Sequence, residues 1–312
     1  MIVIFGGTGT LGHALARIVS QDNFGPVYIV SRCELRQKDM RQEFPDFNYV
    51  IGDVTNTDWA DNIPRNPKLV FNLAAMKHVD IAEDNVERCV AIDFNGVVNT
   101  YKWAKSVGAK SYIFTGTDKS VLPINAYGMA KGLAEKYLFE KARKDKGMTI
   151  SVCKWPNVLG SRGSVLHYFV DSLKNNKPVN ITDDRMTRFW LHIDDVADFM
   201  WDKRMETSLT EAHIPALKAS KVTELAASVA RVMGVEKYFL KEIGIRPGEK
   251  IHEVMRTGHD YCINSENCDQ YSKADLDHLV ARCLDDFDIS GGLQGKYVTP
   301  VPVHIEPHEH TL

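Results

Sequence analysis

Short apolar runs alternate with longer helix-like stretches through the first half of the chain. The short runs predict strands at residues 2–5, 27–31, 48–51, 69–73, 111–115 and 149–154, and the longer stretches predict helices at 11–21, 86–107 and 126–144. Strands that alternate with helices in this way form a parallel sheet that is covered on both faces. With right-handed crossovers, the pattern predicts an α/β, Rossmann-type doubly wound fold.

The pattern loosens after about residue 155, where Gly160, Gly163 and Pro178 interrupt it. A helical stretch at 193–204 is expected to return to the first unit. We therefore expect residues 1–158, with 191–209, to form a nucleotide-binding Rossmann core. Residues 159–190 and 210–312 should form a smaller C-terminal substrate-binding lobe and tail. The last dozen residues are rich in Pro and His and are expected to be a frayed terminus rather than a metal site.

Composition excludes several classes of function. The 312 residues are 44% hydrophobic and 25% charged with a net charge of -3, which is ordinary for a soluble globular protein and predicts no nucleic-acid partner. Six cysteines without CxxC spacing argue against a zinc site or a disulfide framework and for a reducing, cytoplasmic location. No apolar run approaches the length that crosses a membrane, so no membrane partner is expected.

A glycine-rich turn, GGTGTLG at residues 6–12, joins the first predicted strand to the first predicted helix. Glycine permits the tight turn and a close backbone approach to phosphate oxygens. The helix that begins near Thr10 would point its free N–H groups at a pyrophosphate. The residues expected to bind a dinucleotide here are Gly6, Thr8, Gly9, Thr10, Leu11 and Gly12.

The end of the second predicted strand distinguishes NAD from NADP. An NAD site places a carboxylate there for the ribose hydroxyls, whereas this strand ends in Ser31 and Arg32. A guanidinium such as that of Arg32 binds a 2′-phosphate in a bidentate manner, and Arg36 lies one helical turn after Arg32. Glu34 argues for NAD but falls past the strand tip, so NADP is the predicted cofactor. Asp53 either meets the adenine edge or is a solvated loop acid.

A second motif in the middle of the chain indicates hydride chemistry. Tyr127 and Lys131 are four apart on a predicted helix and face the same way, and Thr117 lies ten residues earlier at a strand end. A nearby ammonium and a positive nicotinamide ring both favour a phenolate, so we expect them to lower the pKa of Tyr127. Tyr127 would then take a proton from a sugar hydroxyl, and Thr117 would hydrogen-bond the same oxygen.

Asp118 and Lys119 follow Thr117 and indicate a second reaction, unless they are a solvated loop pair. Once a C4 ketone forms on a sugar, the C5 proton becomes acidic, and water can be lost across C5 and C6. Lys119 would be the base if its pKa is lowered. Asp118 would be the acid if a raised pKa keeps it protonated.

Two arginine-bearing segments in the second half suit a sugar nucleotide. Arg188 and Arg246 would bind a diphosphate through their guanidinium groups, and Glu249 would hold a ribose diol. The alternative is surface salt bridging.

With these motifs in order, the chain resembles the extended short-chain dehydrogenases/reductases. More narrowly, it is similar to the soluble UDP-N-acetylglucosamine 4,6-dehydratases that invert C5, within the polysaccharide-biosynthesis dehydratase group. The resemblance covers residues 1 to about 256, on the stretches 31–32, 74–79, 117–119, 123–128, 157–164, 186–190 and 246–250. It implies oxidation through Thr117, Tyr127 and Lys131, elimination through Asp118 and Lys119, and a tightly held NADP.

The resemblance also implies further contacts. Val54, Ala74, Ala75 and Lys77 would lie at the cofactor, and Lys77 and Asn157 would lie at the UDP-sugar. Membrane-anchored retaining relatives tend to carry Met where this chain has Tyr127. The chain departs from the family's usual residue at four positions: Cys33 for Asp, Asp93 for Asn, His167 for Pro and Pro156 for Gly. Of these, His167 and Pro156 lie near the presumed sugar pocket.

Three functions remain open on the sequence. The first is a lyase that dehydrates UDP-N-acetylglucosamine. The second is a UDP-sugar 4-epimerase, which would leave Asp118 and Lys119 without a role. The third is an NADP-binding sensor, a class that typically loses Tyr127 and Lys131. A homo-oligomer, a dimer or larger, is also expected, with the stretch 86–107 as a contact face.

Overall fold

The computed structural model describes residues 1–21, 24–161, 163–246, 248–257 and 262–289. Within these residues, six parallel strands form the central sheet in the order β3-β2-β1-β4-β5-β6. The strands are β1 (Ile2–Phe5), β2 (Val27–Ser31), β3 (Asn48–Ile51), β4 (Leu69–Asn72), β5 (Ser111–Thr117) and β6 (Thr149–Trp155). The strand order reverses between β1 and β4, which is where ligands bind in open α/β sheets.

The sheet forms because both of its faces are covered. β1, β4 and β5 are buried along their whole length. In β1, Ile2 and Ile4 pack into the core on one face, while Val3 and Phe5 pack into the core on the other. This alternation explains why the strands read as continuous apolar runs. All six predicted strands are present, and each boundary lies within two residues of its prediction.

The helices beside the sheet confirm two predicted segments and correct a third. The helices of this half are α1 (Thr10–Gln21), α2 (Glu34–Glu43), α3 (Val79–Asp84), α4 (Val86–Val90), α5 (Gly96–Ser106) and α6 (Ala126–Lys144). The helix predicted over 86–107 is interrupted by a π-helical segment at Ala91–Asn95. This segment contains Asp93, which is buried and accepts a hydrogen bond from the Met76 backbone N–H at 3.2 Å. A 3₁₀ turn follows β5 at Asp118–Ser120, and others lie at Ala60–Asn62 and Lys203–Met205.

The second half of the chain builds smaller sheets and a separate apolar core. Its elements are β7 (Asn157–Val158), α7 (Val165–Lys174), β8 (Val179–Ile181), β9 (Thr187–Leu191), α8 (Ile193–Asp202), β10 (Ala219–Lys221), α9 (Val222–Val232), β11 (Leu240–Glu242), β12 (Val254–Thr257), β13 (Cys262–Asn264) and α10 (Lys273–Ile289). Side chains of α7, α9 and α10 share one buried cluster that includes Phe169, Leu225 and Val280. The predicted C-terminal tail lies outside the described residues.

Two segments of the second half lie against the Rossmann sheet and its helices. Helix α8 packs on α1, where Ile193 and Ala197 contact Ala14 and where the Arg17 guanidinium lies 2.6 Å from Asp194. Residues 206–213 then run along the outer edge of β6, and the Ser208 and His213 backbone N–H groups donate to its carbonyl groups, each at 2.8 Å. None of the helices within the described ranges is both long and apolar enough to span a membrane.

Candidate active site

A cavity of about 1010 Å³ opens over the carboxyl ends of the central strands, and residues of both halves of the chain line it. Every residue that the sequence predicted for the site lies on the wall of this cavity except Lys131, which is buried behind it. The cofactor group on the wall is Gly6, Thr8, Gly9, Thr10, Leu11, Gly12, Ser31, Arg32, Arg36, Asp53, Val54, Ala74, Ala75 and Lys77. The reactive and substrate group is Thr117, Asp118, Lys119, Tyr127, Asn157, Arg188, Arg246 and Glu249.

The glycine turn is shaped by close backbone approaches. Gly6 has a φ of +73°, and a Cβ there would lie 2.7 Å from the Ala74 backbone nitrogen. A Cβ at Gly12 would lie 2.6 Å from the Cα of Gly7. Side chains at these positions would separate β1 from β4 and α1 from the turn. The turn therefore presents bare backbone and the N-terminus of α1 to the cavity, which suits a pyrophosphate.

The tip of β2 presents cations to the cavity. Arg32 and Arg36 line it, and 58% of the Arg32 side chain is exposed. The Ser31 hydroxyl accepts a hydrogen bond from the Gln37 amide at 3.0 Å and keeps its own proton to donate. The Asp53 carboxylate lies 2.7 Å from the Arg88 guanidinium and 4.0 Å from that of Arg32, and 22% of its side chain is exposed.

The end of β5 and the start of α6 bring the predicted hydride group together. Thr117 ends β5, and its hydroxyl donates to the Asp118 carboxylate at 3.0 Å and accepts the Lys119 backbone N–H at 3.3 Å. Asn125 caps α6 by accepting the Gly128 backbone N–H at 2.8 Å. A Cβ at Gly128 would lie 2.8 Å from the carbonyl carbon of Lys119, so this glycine lets α6 approach the 3₁₀ turn.

The electrostatics of Tyr127 differ from the expectation. Burial raises the pKa of Tyr127 well above its usual range, and the Asp93 and Asp118 carboxylates raise it further. Lys131, which was expected to lower it, is itself buried, and burial lowers the pKa of its ammonium. The Lys131 Nζ lies 3.5 Å from the Thr115 hydroxyl and 4.1 Å from the centre of the Phe114 ring. The chain's own groups therefore keep the phenol protonated.

Asp118 and Lys119 form an ion pair on the cavity wall, in which Asp118 is buried and Lys119 is half-buried. The Lys119 Nζ lies 3.2 Å from Asp118 Oδ1, and 3.4 Å from both Asn157 Oδ1 and Glu253 Oε1. Burial raises the pKa of Asp118, which is the direction that an acid needs. Burial lowers the pKa of Lys119, but the Asp118 and Glu253 carboxylates outweigh it and raise that pKa. The chain's own groups therefore do not supply the lowered pKa that was the condition for Lys119 to act as a base.

The two predicted substrate arginines lie in different environments. The Arg188 guanidinium donates to the carbonyl oxygens of Thr187, Lys250 and Ile251 at 2.8–2.9 Å. Most of its donors are therefore already used within the protein. Arg246, in contrast, is exposed, and its backbone N–H donates to the Glu249 carboxylate at 3.3 Å. This leaves the Arg246 guanidinium facing the cavity beside Glu249.

Sequence reasoning missed Glu253 and the role of Lys250 in the same cluster. Glu253 lies 134 positions after Lys119 along the chain and directly precedes β12. A single acid before a short strand carries no periodic or motif signal. Only the fold brings it to the 3₁₀ turn, so long-range contact information would have been needed to find it.

A family model described as polysaccharide biosynthesis protein matches residues 2–275. The chain belongs to this family. An inverting UDP-N-acetylglucosamine 4,6-dehydratase of Campylobacter jejuni strain 81-176 is 35% identical over 306 residues, which cover 95% of this chain and 89% of the relative. A UDP-glucose 4-epimerase of Rickettsia akari is 33% identical over 267 residues, which cover 83% and 78% respectively.

Solved structures share the fold. Pen from Bacillus thuringiensis has a TM-score of 0.84 at 28% identity, over 91% of this chain and 97% of that protein. An epimerase and a dehydratase of the same fold, at 15% and 14% identity, were each solved with NAD bound. The predicted Rossmann fold and the resemblance to the polysaccharide-biosynthesis dehydratase group are confirmed.

Proposed function

We propose that this protein is an NADP-dependent, inverting UDP-N-acetylglucosamine 4,6-dehydratase. The observation that carries the proposal is the ion pair of the buried Asp118 with Lys119, which shares one cavity with Tyr127 and the glycine turn. A dehydrogenase or an epimerase has no use for this acid–base pair. The proposed product is a 4-keto-6-deoxy sugar nucleotide with C5 inverted, as the inverting 4,6-dehydratase activity of the Campylobacter relative suggests.

The cavity suits a nicotinamide dinucleotide at its Rossmann end. The bare backbone of the glycine turn and the N-terminus of α1 would hold the pyrophosphate. Arg32, Ser31 and Arg36 would hold a 2′-phosphate, which favours NADP. When bound, a nicotinamide cofactor would supply a hydride acceptor for C4 and a hydride donor for C6, so the sugar would undergo no net oxidation.

The chain's own residues would move the protons. With the positive nicotinamide ring of the cofactor beside it, Tyr127 would be the phenolate that takes the proton of the C4 hydroxyl, and Thr117 would hydrogen-bond the same oxygen. Lys119 removes the C5 proton beside the new ketone, and Asp118 gives its proton to the C6 hydroxyl, so that the C6–O bond breaks and one water leaves. A proton then returns to C5 on the opposite face, which inverts that carbon.

The substrate lobe would hold the nucleotide. The exposed Arg246 guanidinium would pair with the diphosphate, and the Glu249 carboxylate would accept from the ribose hydroxyls. Lys77 and Asn157 lie on the cavity wall, and Asn157 Oδ1 is 3.4 Å from the Lys119 Nζ. We assign these two residues to the sugar.

One incubation tests the proposal. The purified protein is mixed with UDP-N-acetylglucosamine in D₂O without added cofactor, and the sugar is followed by NMR and mass spectrometry. Loss of one water with deuterium at C5 is expected. Return of an unaltered substrate from a protein that holds NADP would refute the activity and favour a sensor.

The second candidate is a UDP-sugar 4-epimerase, which the Rickettsia relative favours. An epimerase would use Thr117, Tyr127 and the glycine turn in the same way but would leave Asp118 and Lys119 idle. In the same incubation it would give a C4 epimer that has lost no water. That product would replace the lyase proposal.

An apolar face on α4 and α6 supports the expected homo-oligomer. Val86, Val90, Met129 and Leu133 are exposed there and line a groove of about 380 Å³. We propose that a second copy covers this face, because two such helix pairs related by a twofold axis would bury both sets of side chains. Met129→Glu should lower the mass measured by light scattering, and an unchanged oligomer would contradict the assignment. A cytoplasmic location, expected from the cysteine spacing, completes the proposal.

A further inference from the structure

We propose that Glu253 is a positioning residue for the elimination step, which holds the Lys119 ammonium and links it to Arg188. The inference rests on the proposed dehydratase function. Glu253 is not on the cavity wall, so it would act through Lys119 rather than on the sugar. Its partners come from the 3₁₀ turn after β5, from β9 and from the loop before β12.

The geometry around Glu253 is that of a buried anion shared between cations. The residue is 4% exposed, and its Oε1 lies 3.4 Å from Lys119 Nζ and 3.7 Å from Arg188 Nε. Its backbone N–H donates to the Ser265 hydroxyl at 2.9 Å, which fixes the start of β12. Its Oε2 is buried with no hydrogen-bond partner among the described residues. Such a group is costly to keep, so a functional reason is expected.

The charges that face Glu253 explain why it stays ionised. Among the described residues, the cations are Lys119, Arg188 and Lys250, and the other carboxylate of the cluster is Asp118. Burial raises the pKa of Glu253, but the three cations outweigh it and lower that pKa. The neighbouring His252 is engaged elsewhere, because its Nδ1 lies 2.8 Å from the Thr187 hydroxyl.

The cluster also ties three segments of the chain together. Arg188 on β9 donates to the carbonyl groups of Lys250 and Ile251, and the Lys250 ammonium donates to the Val121 carbonyl at 2.7 Å. Val121 directly follows the 3₁₀ turn that carries Lys119. The Glu253 carboxylate lies among these three cations, and its charge, together with that of Asp118 at 3.2 Å from the Lys119 Nζ, holds the Lys119 amine in place.

Removal of this charge should have a specific effect on the chemistry. When Asp118 carries the proton that it gives to the leaving hydroxyl, Glu253 is the remaining anion beside Lys119. Glu253→Gln leaves Arg188 and Lys250 to repel the Lys119 ammonium, which lowers its pKa. Loss of the same anion lowers the pKa of Asp118, because Glu253 currently raises it. Both limbs of the pH–rate profile should therefore move to lower pH, by about one to three units.

The test compares Glu253→Gln with the wild type, each with its bound cofactor and UDP-N-acetylglucosamine as substrate. Cofactor reduction reports the C4 oxidation, and water loss with C5 deuteration in D₂O reports the elimination. We expect oxidation within about twofold of the wild type and elimination slower by about 100-fold, the cost of a displacement near 1 Å. The shifted pH profile should appear in the elimination step. Asp145→Asn is the matched control, because it removes another largely buried, paired carboxylate far from the cavity and should change neither step.

Glu253→Asp keeps the carboxylate charge on a side chain that is one methylene shorter. This variant tests the positioning role if Glu253→Gln does not fold. It should slow elimination while leaving the pH profile near that of the wild type. Normal elimination in Glu253→Asp, or a normal rate and profile in a folded Glu253→Gln, overturns the inference and leaves the dehydratase function intact. A wild type that loses no water overturns the function and the inference together.

Discussion

Gly128 sets the distance between the helix that carries Tyr127 and the turn that carries Lys119. A Cβ there would lie 2.8 Å from the Lys119 carbonyl carbon and closer still to its oxygen, whereas ordinary contacts begin at 3.4 Å. In Gly128→Ala, α6 and the 3₁₀ turn must therefore separate by at least about 0.6 Å. The Tyr127 phenol and the Lys119 amine would move apart by a similar amount.

The magnitude follows from two opposing effects. Overpacking costs about 1–3 kcal/mol, and replacing a helical glycine by alanine returns about 1 kcal/mol. We expect a net loss of about 1 kcal/mol in the free energy of unfolding, measured by denaturant titration. The loss of turnover should be much larger than this stability loss implies, at about 10- to 100-fold, because misplaced groups react slowly.

Gly132→Ala is the matched control on the same helix. A Cβ at Gly132 would lie 3.4 Å from its nearest neighbour, the Ser120 carbonyl oxygen, which is an ordinary contact. This variant should gain up to about 1 kcal/mol of stability and keep its activity. If Gly128→Ala matched Gly132→Ala in both stability and turnover, the close approach of α6 to the turn would have no part in the reaction.

The remaining predictions concern single groups of the site. Lys119→Ala should block water loss while still allowing cofactor reduction at C4, measured by mass spectrometry and nicotinamide absorbance; dehydration at the normal rate would remove Lys119 from the mechanism. Arg32→Ala should weaken NADP binding by about 10- to 100-fold in calorimetry and leave NAD binding nearly unchanged, since only NADP offers the 2′-phosphate. Burial raises the pKa of Asp93 to about 6, so its ionisation destabilises the fold increasingly as the pH rises from about 4 through 6. Asp93→Asn should therefore be more stable than the wild type by about 1–3 kcal/mol at pH 8, with an advantage that shrinks as the pH falls, in denaturant titrations at several pH values; an advantage that is the same at every pH would contradict this.

The sequence predicted secondary structure best where a strand or helix is buried evenly along its length. The strands were predicted well because they are covered on both faces and read as unbroken apolar runs. Helix α2 was missed because its residues are mostly polar and it buries few of them, so no apolar period marks it. The π-helical break at Ala91–Asn95 was missed because one extra residue in a turn hardly alters the apolar spacing.

The site residues were largely predictable, but their electrostatics were not. Local motifs named Thr117, Asp118 and Lys119, and the fold places all three on one cavity. The direction of the pKa shift at Lys119 depends on Glu253, which reaches it only through the fold. Burial alone would lower that pKa, and the carboxylates reverse the sign. A motif specifies which groups are present, whereas the sign of a shift depends on every charge within a few ångströms.

The paired shifts at Asp118 and Lys119 bear on how the two act together. A charged pair and a neutral pair, in which the proton has passed from the Lys119 Nζ to the Asp118 carboxylate 3.2 Å away, contain the same number of protons. The ratio of the two forms is therefore set by the neighbouring charges and not by the bulk pH. Glu253 favours the ammonium form of Lys119, while burial and the nearby Arg188 and Lys250 favour its neutral amine. Only the neutral pair has both a base for C5 and an acid for C6. The limbs of a pH–rate profile would accordingly report macroscopic pKa values of the whole cluster, and neither limb would belong to Asp118 or Lys119 alone.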